Sequence, residues 1–324
     1  MPLTFDFPLE QLKKYNGINP RPHDFDQYWE KGLKELRSTD PMEELIPADF
    51  QVSGVECFHL YFTGVGGARV HAKFMRPKKA DKPHPAILMF HGYTGNTGDW
   101  SDKLAYVAQG YSVAALDCRG QGGLSEDNGQ VVGNTYHGQI IRGLEDALNG
   151  KPEKLLFRQI FLDAAQLAKI VMDMPDVDPN RVGATGGSQG GALTVACIAL
   201  EPRIKRAAPF YPFLSDYKRV WEMDQAKDAY KELHEYFRFF DPTHEKENRI
   251  FESLGYIDIQ NFAPRVQSNI LWAIGLMDTV CPPSSQFAVY NKIKSEKSMI
   301  IYPDYTHEPL PGLPDKIFQF FMEM

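Results

Sequence analysis

The sequence predicts an α/β fold, in which helices cover both faces of a mostly parallel, doubly wound sheet. Short apolar runs recur from about residue 55 onward and are continuous rather than alternating. Strands buried on both faces of a parallel sheet have this pattern. Helical stretches separate the runs, and strand–helix–strand alternation favours right-handed crossovers between parallel strands.

The chain is expected to form a single domain over residues 1–324, with residues 1–50 as an N-terminal extension. Within the extension, the segment Asp24–Leu36 predicts one amphipathic helix, because its apolar residues recur at steps of three and four. Such a helix must bury its apolar stripe, so we expect the extension to pack on the main body.

The core elements follow in order. Leu155–Met172 has apolar residues at helical spacing and predicts a long helix, with prolines beyond its end. The predicted strands are Ala86–Phe90, Ser112–Leu116, Arg181–Thr185, Arg206–Pro209 and Ile270–Ile274.

Residues 215–263 interrupt the alternation of strands and helices. The segment is charged and aromatic, and it predicts a helical insertion before the last of these strands. Two roles stay open for its aromatic side chains. They could form a lid or a subunit contact, or they could pack against the sheet.

Composition limits the partners and the compartment. The 324 residues include 35 Lys and Arg and 42 Asp and Glu, so the formal charge is −7. An acidic chain lacks the basic surface that nucleic acid or an anionic membrane selects, and no apolar run reaches the ~18 residues of a membrane span. The four cysteines are far apart and are expected to be reduced. With no secretion signal readable, the sequence predicts a cytoplasmic protein that needs no metal or organic cofactor.

Residues Gly186–Gly191 carry the most informative motif. They fit G-x-S-x-G around Ser188, after the predicted strand Arg181–Thr185 and before an apolar helical run. A strand that turns abruptly into a helix strains the central residue and leaves no room for side chains two positions away. Ser188 is therefore the predicted nucleophile, and a structural Gly-Ser turn is the alternative. A Walker loop is excluded because no Lys-Ser or Lys-Thr follows the glycines.

A serine nucleophile needs a base, and the base needs an orienting acid. In this class of fold the chain order is Ser, then Asp or Glu, then His. His307 lies in a polar loop after the apolar run Met299–Tyr302 and is the predicted base. Asp278 follows the last predicted strand and is the predicted acid, in preference to Asp258 and Asp304. The two other downstream histidines lie in the insertion, where solvent exposure is expected.

Acyl transfer also needs backbone N–H groups that face the developing oxyanion. The predicted donors are the N–H of Gln189, which follows the nucleophile, and the N–H of Tyr93, in the loop after Ala86–Phe90. Gly92 is expected to let this loop turn closely. His91 is expected to brace the loop rather than to act in catalysis.

Arg119 follows the predicted strand Ser112–Leu116 and so reaches the same rim of the sheet. It could bind an anionic substrate, but bracing of the site loops is favoured, because Arg pairs with a carboxylate through two hydrogen bonds. Glu308, next to the predicted base, is the suggested partner. Cys281 lies near the predicted acid, yet a Cys–His hydrolase is disfavoured because a serine already supplies the nucleophile.

Together these strings resemble the acetyl xylan esterase/cephalosporin C deacetylase family, carbohydrate esterase family seven. The family's markers RGQ, GxSQG and a terminal His-Glu correspond to Arg119–Gln121, Gly186–Gly190 and His307–Glu308. The resemblance spans roughly residue 20 to the end. Further similar strings are Phe90–Tyr93, Pro212–Leu214, Gly275–Asp278 and Cys281–Ser284.

The resemblance implies the α/β-hydrolase fold, and a serine esterase that removes acetyl groups from acetylated xylo-oligosaccharides and cephalosporin C-like esters through an acyl-enzyme. It also implies a ring-like hexamer whose active sites face an inner cavity and admit small substrates. The sequence departs from the family where Leu155–Arg158 replaces an aromatic YYYR stretch, which bears on fine substrate preference. A peptidase or thioesterase with the same triad, and a non-catalytic binding module, are the alternatives.

Overall fold

The computed structural model describes residues 5–79, 82–132 and 138–324, so the first four residues of the predicted extension lie outside it. Nine strands in the described part form one mixed sheet. In chain order they are β1 (Glu44–Pro47), β2 (Val55–Thr63), β3 (Arg69–Pro77), β4 (His84–Phe90), β5 (Ser112–Leu116), β6 (Val177–Gly187), β7 (Arg206–Phe210), β8 (Asn269–Gly275) and β9 (Lys297–Tyr302).

The sheet has a parallel part and an antiparallel edge. Its spatial order is β1-β2-β3-β5-β4-β6-β7-β8-β9. All neighbours from β5 to β9 are parallel, which confirms the predicted core. The first three strands pair antiparallel, and β3 also runs antiparallel to β5. The apolar pattern of the sequence did not predict these three strands.

Helices cover the sheet, and among the described residues no helix combines the length and the hydropathy of a transmembrane span. The described part contains α1 (Leu9–Leu12), α2 (Phe25–Ser38), α3 (Leu104–Ala108), α4 (Leu144–Leu148), α5 (Leu156–Asp173), α6 (Gln189–Leu200), α7 (Tyr217–Glu222), α8 (Lys231–Phe240), α9 (Glu247–Leu254), α10 (Pro283–Tyr290) and α11 (Leu313–Met322).

Each face of the sheet has its own apolar cluster. Leu88 of β4 belongs to the larger cluster, with α5 and α6, whereas its neighbour Ile87 belongs to the smaller one, with α3 and α11. Consecutive side chains of a strand point to opposite faces. Both residues are fully buried, so the central strands are covered on both sides, as the continuous apolar runs predict.

The N-terminal extension packs on the main body through α2. Trp29 is fully buried and its ring lies 4.8 Å from the Phe262 ring and 6.1 Å from the Phe161 ring of α5. A second contact lies nearer the N-terminus. Asp6 accepts hydrogen bonds from Arg219 Nη2 at 2.9 Å and from the backbone N–H of Ser284, at the start of α10, at 2.6 Å.

The insertion at residues 215–263 is helical, as predicted, and most of its aromatic side chains pack inward. Tyr230 and Phe237 are buried, and the Tyr230 ring lies 4.3 Å from that of Phe213. Phe239 is an exception, with 61% of its surface exposed. Internal packing therefore accounts for most of this aromatic content.

Candidate active site

Ser188 lies at a strained turn between β6 and α6. Its backbone has φ 56° and ψ −120°, a conformation that L-residues avoid unless the surrounding structure imposes it. A Cβ atom on Gly190 would lie 2.0 Å from the Phe90 carbonyl oxygen, and one on Gly186 would lie 2.5 Å from it. The glycines are thus required by the close approach of β4, a neighbour that the motif alone does not reveal.

The structure brings the three predicted triad side chains together. Ser188 Oγ lies 3.1 Å from His307 Nε2, and His307 Nδ1 lies 2.8 Å from Asp278 Oδ2. Asp278 is fully buried, while the His307 side chain is 20% exposed. The chain of hydrogen bonds therefore runs from a buried carboxylate to a hydroxyl near the surface.

The turn after β8 fixes the Asp278 carboxylate. Its Oδ1 accepts hydrogen bonds from the backbone N–H groups of Val280 at 2.9 Å and Cys281 at 2.8 Å. Its Oδ2 is thereby left to face His307. The two competing acids lie elsewhere: Asp304 is exposed, and Asp258 is buried in the insertion, where its Oδ2 accepts from the backbone N–H of Asp216.

The Tyr211 ring packs against the His307 imidazole, a contact that the sequence did not predict. Its ring lies 4.7 Å from that of His307, and its own φ of 31° is unusual for a non-glycine residue. Burial, with added repulsion from Asp278 and Cys281, raises the pKa of Tyr211 to about 12. A tyrosine directly after β7 is the only signal that the sequence offers for this contact.

The predicted oxyanion donors lie at the start of α6 and in the loop after β4. Gln189 is the first residue of α6, so its N–H has no acceptor within the helix. Tyr93 lies in the loop after β4, with its ring 5.3 Å from that of Phe213. The expectation for Gly92 is wrong: a Cβ there would meet nothing within 4 Å, and the left-handed residues of this loop are Thr94, with φ 58°, and Gly98, with φ 63°.

Side chains tie these loops together. His91 Nε2 accepts a hydrogen bond from the backbone N–H of Cys118 at 3.0 Å, which confirms its bracing role. The Gln121 and Gln189 amides also pair reciprocally, with N···O distances of 2.7 and 3.0 Å. The loop after β5, which carries Gln121, is thereby joined to the start of α6.

Arg119 braces the site, but its predicted partner is wrong. Its guanidinium forms two hydrogen bonds with Asp163 of α5, at 2.5 and 2.6 Å, and a third with the Val65 carbonyl. Glu308 is exposed and instead accepts from the N–H and hydroxyl of Thr306. A buried guanidinium requires a buried counter-charge, and Asp163 provides it where an exposed residue does not.

A second Asp–His chain, absent from the sequence predictions, lies beneath the same rim. Asp117, directly after β5, has its Oδ2 2.6 Å from His71 Nδ1, and His71 Nε2 lies 2.8 Å from His59 Nδ1. The carboxylate also accepts from the N–H groups of Thr97 and Leu124. Burial alone would raise the pKa of Asp117, but these hydrogen bonds outweigh it and lower the pKa.

One group in the described part of the chain has the composition of a metal site. One ligand atom each from Asp278, Cys281 and His307 lie within 4.8 Å of one another. Cys281 is fully buried. Burial, followed by the nearby Asp278 charge, raises the pKa of this thiol well above its usual range.

Comparison with known proteins gives the same picture over the whole chain. The sequence model of a family described as acetyl xylan esterase (AXE1) matches residues 1–324. The chain is similar to the solved acetyl xylan esterase 1 from Thermoanaerobacterium sp. JW/SL YS485, with 57% identity, a TM-score of 0.96, and coverage of 98% of this chain and 99% of that one. An acetyl xylan esterase from Paenibacillus sp. R4 gives 31% identity and a TM-score of 0.92, with 98% and 99% covered.

Curated relatives are more distant. Acetyl esterase Axe7A of Xylanibacter ruminicola is 26% identical over 307 residues, which cover 93% of this chain and 66% of that protein. The putative hydrolase YtaP of Bacillus subtilis is 26% identical over 43% of this chain and 47% of its own length. This chain thus spans two thirds or less of the curated relatives it matches. An acylaminoacyl peptidase from Pyrococcus horikoshii, at 20% identity and a TM-score of 0.57 over 84% of this chain and 41% of that one, shows the shared fold alone.

Proposed function

The chain belongs to the acetyl xylan esterase family and is a carboxylic ester hydrolase of acetyl esters, and from this premise we propose that its substrates are small acetylated sugars. Acetylated xylo-oligosaccharides come first, and cephalosporin C-like acetyl esters are further substrates. The names of the relatives support the sugar class. One observation carries the proposal for the chemistry: the hydrogen-bonded chain from Asp278 through His307 to Ser188.

In the proposed mechanism, Ser188 is the nucleophile. His307 Nε2 removes the hydroxyl proton as Oγ attacks the acetyl carbonyl, and it then gives that proton to the departing sugar oxygen. Asp278 holds the imidazole in the tautomer that keeps Nε2 free to accept, and it stabilises the imidazolium that forms. Water that gives a proton to the same nitrogen then attacks the acyl-enzyme, and His307 passes this proton to the departing Ser188 Oγ as acetate is released.

The oxyanion is held by the N–H groups of Gln189 and Tyr93. The Gln189 N–H is free of intrahelical bonding and lies at the positive end of α6. The hydrogen bonds of His91 and of the Gln121–Gln189 pair support this assignment, because they hold the two donor-bearing elements in fixed relation. Donors positioned before the reaction need no reorganisation as the charge develops.

The assembly and the compartment complete the proposal. The protein forms a hexamer, as the resemblance to carbohydrate esterase family seven implies, and light scattering coupled to size exclusion tests the mass. It works in the cytoplasm, which its four free, buried cysteines support, because a reducing compartment keeps thiols unpaired.

A steady-state substrate panel tests the proposed substrate class. We expect kcat/KM to be highest for acetylated xylobiose and xylotriose and to fall by roughly 10-fold or more for each methylene added to the acyl group of a p-nitrophenyl ester. Peptides and acyl thioesters serve as the contrasting substrates. Faster cleavage of either one than of acetylated sugars would favour the peptidase or thioesterase alternative.

A further inference from the structure

The proposed mechanism does not use the Cys281 thiol, which lies near two members of the triad. It lies three residues after Asp278, is fully buried, and has its sulfur within 4.8 Å of a ligand atom of Asp278 and of His307. Its backbone N–H already orients Asp278, a task that any residue except proline can perform. The side chain therefore needs a separate account.

Its neighbours supply the donors that a thiophilic cation prefers. A thiol, an imidazole and a carboxylate, from Cys281, His307 and Asp278, have ligand atoms within 4.8 Å of one another. Zinc binds these groups at about 2.0–2.3 Å in a tetrahedral arrangement, so three ligands on one ion lie roughly 3.5 Å apart. The side chains would need to move inward by only about 1 Å.

We propose that Cys281, His307 and Asp278 form an inhibitory site for one thiophilic divalent cation, of the Zn²⁺ and Cd²⁺ class. The ion binds the sulfur as thiolate, and the thiol proton passes to solvent. No electron is transferred and no covalent bond within the protein breaks. A bound ion stabilises the thiolate form outright, which offsets the burial that otherwise favours the neutral thiol.

Inhibition follows whichever imidazole nitrogen the ion takes. Binding at Nε2 replaces the 3.1 Å contact with Ser188 Oγ, and binding at Nδ1 replaces the 2.8 Å contact with Asp278. Binding at Nε2 removes the nitrogen that accepts the Ser188 proton, and binding at Nδ1 removes the hydrogen bond that orients the imidazole. The ion reaches the cluster through the same opening as the ester, because Ser188 and His307 are the partly exposed members of the site, so inhibition should be competitive.

The donor set also predicts selectivity among cations. Mg²⁺ and Ca²⁺ require six or more oxygen ligands, whereas this cluster offers one carboxylate beside a sulfur and a nitrogen. Zn²⁺ and Cd²⁺ should bind and the two hard cations should not.

The effect on turnover rests on the proposed function, but binding does not, so binding is measured first. Equilibrium dialysis against ZnCl₂ or CdCl₂ should give one ion per chain, both for the wild-type protein and for the inactive variant Ser188→Ala. Cys281→Ala should weaken binding by at least ~10-fold, since even the loss of an outer-shell partner costs about that much. Cys57→Ala is the matched control, because Cys57 is also a buried free thiol but lies in the apolar cluster on the opposite face.

The same variants then report inhibition. Zn²⁺ should raise the apparent KM of p-nitrophenyl acetate in the wild type and in Cys57→Ala, EDTA should reverse the effect, and Mg²⁺ should have none. Circular dichroism checks that Cys281→Ala is folded, and Cys281→Ser replaces it if it is not. Unchanged zinc affinity in the folded Cys281 variant, or equal loss in Cys57→Ala, overturns the proposal. Bound zinc together with full turnover by Ser188→Ala would instead overturn the proposed mechanism.

Discussion

Two runs of hydrogen bonds, each with an Asp–His pair, lie at the same rim of the sheet. They differ in the group that the histidine contacts at the far end. Asp278 and His307 lead to the Ser188 hydroxyl, whereas Asp117 and His71 lead to a second imidazole, His59. The Asp–His distances are similar, 2.8 and 2.6 Å, and both carboxylates are buried. Exposure differs: the first imidazole is 20% exposed and the second is completely buried.

The sources of the other hydrogen bonds separate the two chains further. Each carboxylate accepts from two backbone N–H groups. Those of Asp278 come from its own turn, at Val280 and Cys281. Those of Asp117 come from two other positions in the loops, Thr97 and Leu124. The first carboxylate orients a base, and the second fastens loops together. An Asp–His pair alone is therefore a structural contact. It can take part in catalysis only when the histidine also contacts an accessible, reactive group.

The largest effect is expected from the terminal hydroxyl. Ser188→Ala should lower kcat by on the order of 10⁴ or more, because the members of a catalytic triad act as a unit. Acetate release from an acetylated xylobiose measures it, with unfolding curves to show that the fold is intact. Near-normal acetate release would contradict the assignment of Ser188 as the nucleophile. The first Asp–His pair would then no longer differ from the second in leading to a reactive group.

The two carboxylates give the next contrast. Asp278→Asn should lower kcat by about 10⁴, because the amide stabilises the wrong imidazole tautomer. Asp117→Asn should lower kcat by less than 10-fold and should instead cost about 2 kcal/mol of unfolding free energy, since it weakens hydrogen bonds to a charged acceptor. Steady-state kinetics and urea unfolding measure both. Equal losses of kcat with unchanged stability would make the second chain catalytic.

The pH dependence of stability should reveal the contribution of the Asp117 carboxylate. The pKa of Asp117 is lowered in the folded protein, so its contribution to stability is present above the unfolded pKa, near 3.9, and is lost as pH falls through the folded value. The stability gap between wild type and Asp117→Asn should therefore shrink from about pH 7 to about pH 3. Urea unfolding at the two pH values measures the gap, and a gap that widens in acid would contradict this sign.

The smallest effect is expected at the far end of the second chain. Burial, followed by repulsion from His71, lowers the pKa of His59, so the neutral form accounts for its hydrogen bond near neutral pH. His59→Gln keeps a polar partner for His71 and should change stability by no more than about 0.5 kcal/mol, with kcat unchanged. A large loss of activity would show that this chain carries a proton to the site.

Much of the site could be predicted because its signals are local or ordered along the chain. The G-x-S-x-G motif is a short segment, and the acid and the base follow strand ends in a fixed order. Ser188, Asp278 and His307 can therefore be predicted without knowledge of the sheet. The second chain has no such rule. His71 lies on β3, an antiparallel strand whose burial does not alternate regularly, and its partner lies 46 residues away.

The partner of Arg119 shows why side-chain pairing is harder to predict than position. The sequence suggests Glu308 because it is next to His307, yet Asp163 lies on the buried face of α5 and pairs with the guanidinium there. Periodicity predicted that helix but not which polar position of it would face a charge. The same limit applies to Tyr211, whose contact with His307 depends on how two loops approach.

The hydrogen bonds of Asp6 have a consequence for biosynthesis. Asp6 leaves the ribosome long before its partner Ser284, and at 5–20 residues per second the interval is roughly 14–56 s. During that interval the apolar side of α2 and the carboxylate of Asp6 lack part of the surface they finally occupy. The N-terminal segment must therefore stay soluble while translation continues. The exposed charged side chains of α2, such as Glu30, Lys31 and Lys34, favour its hydration during that time.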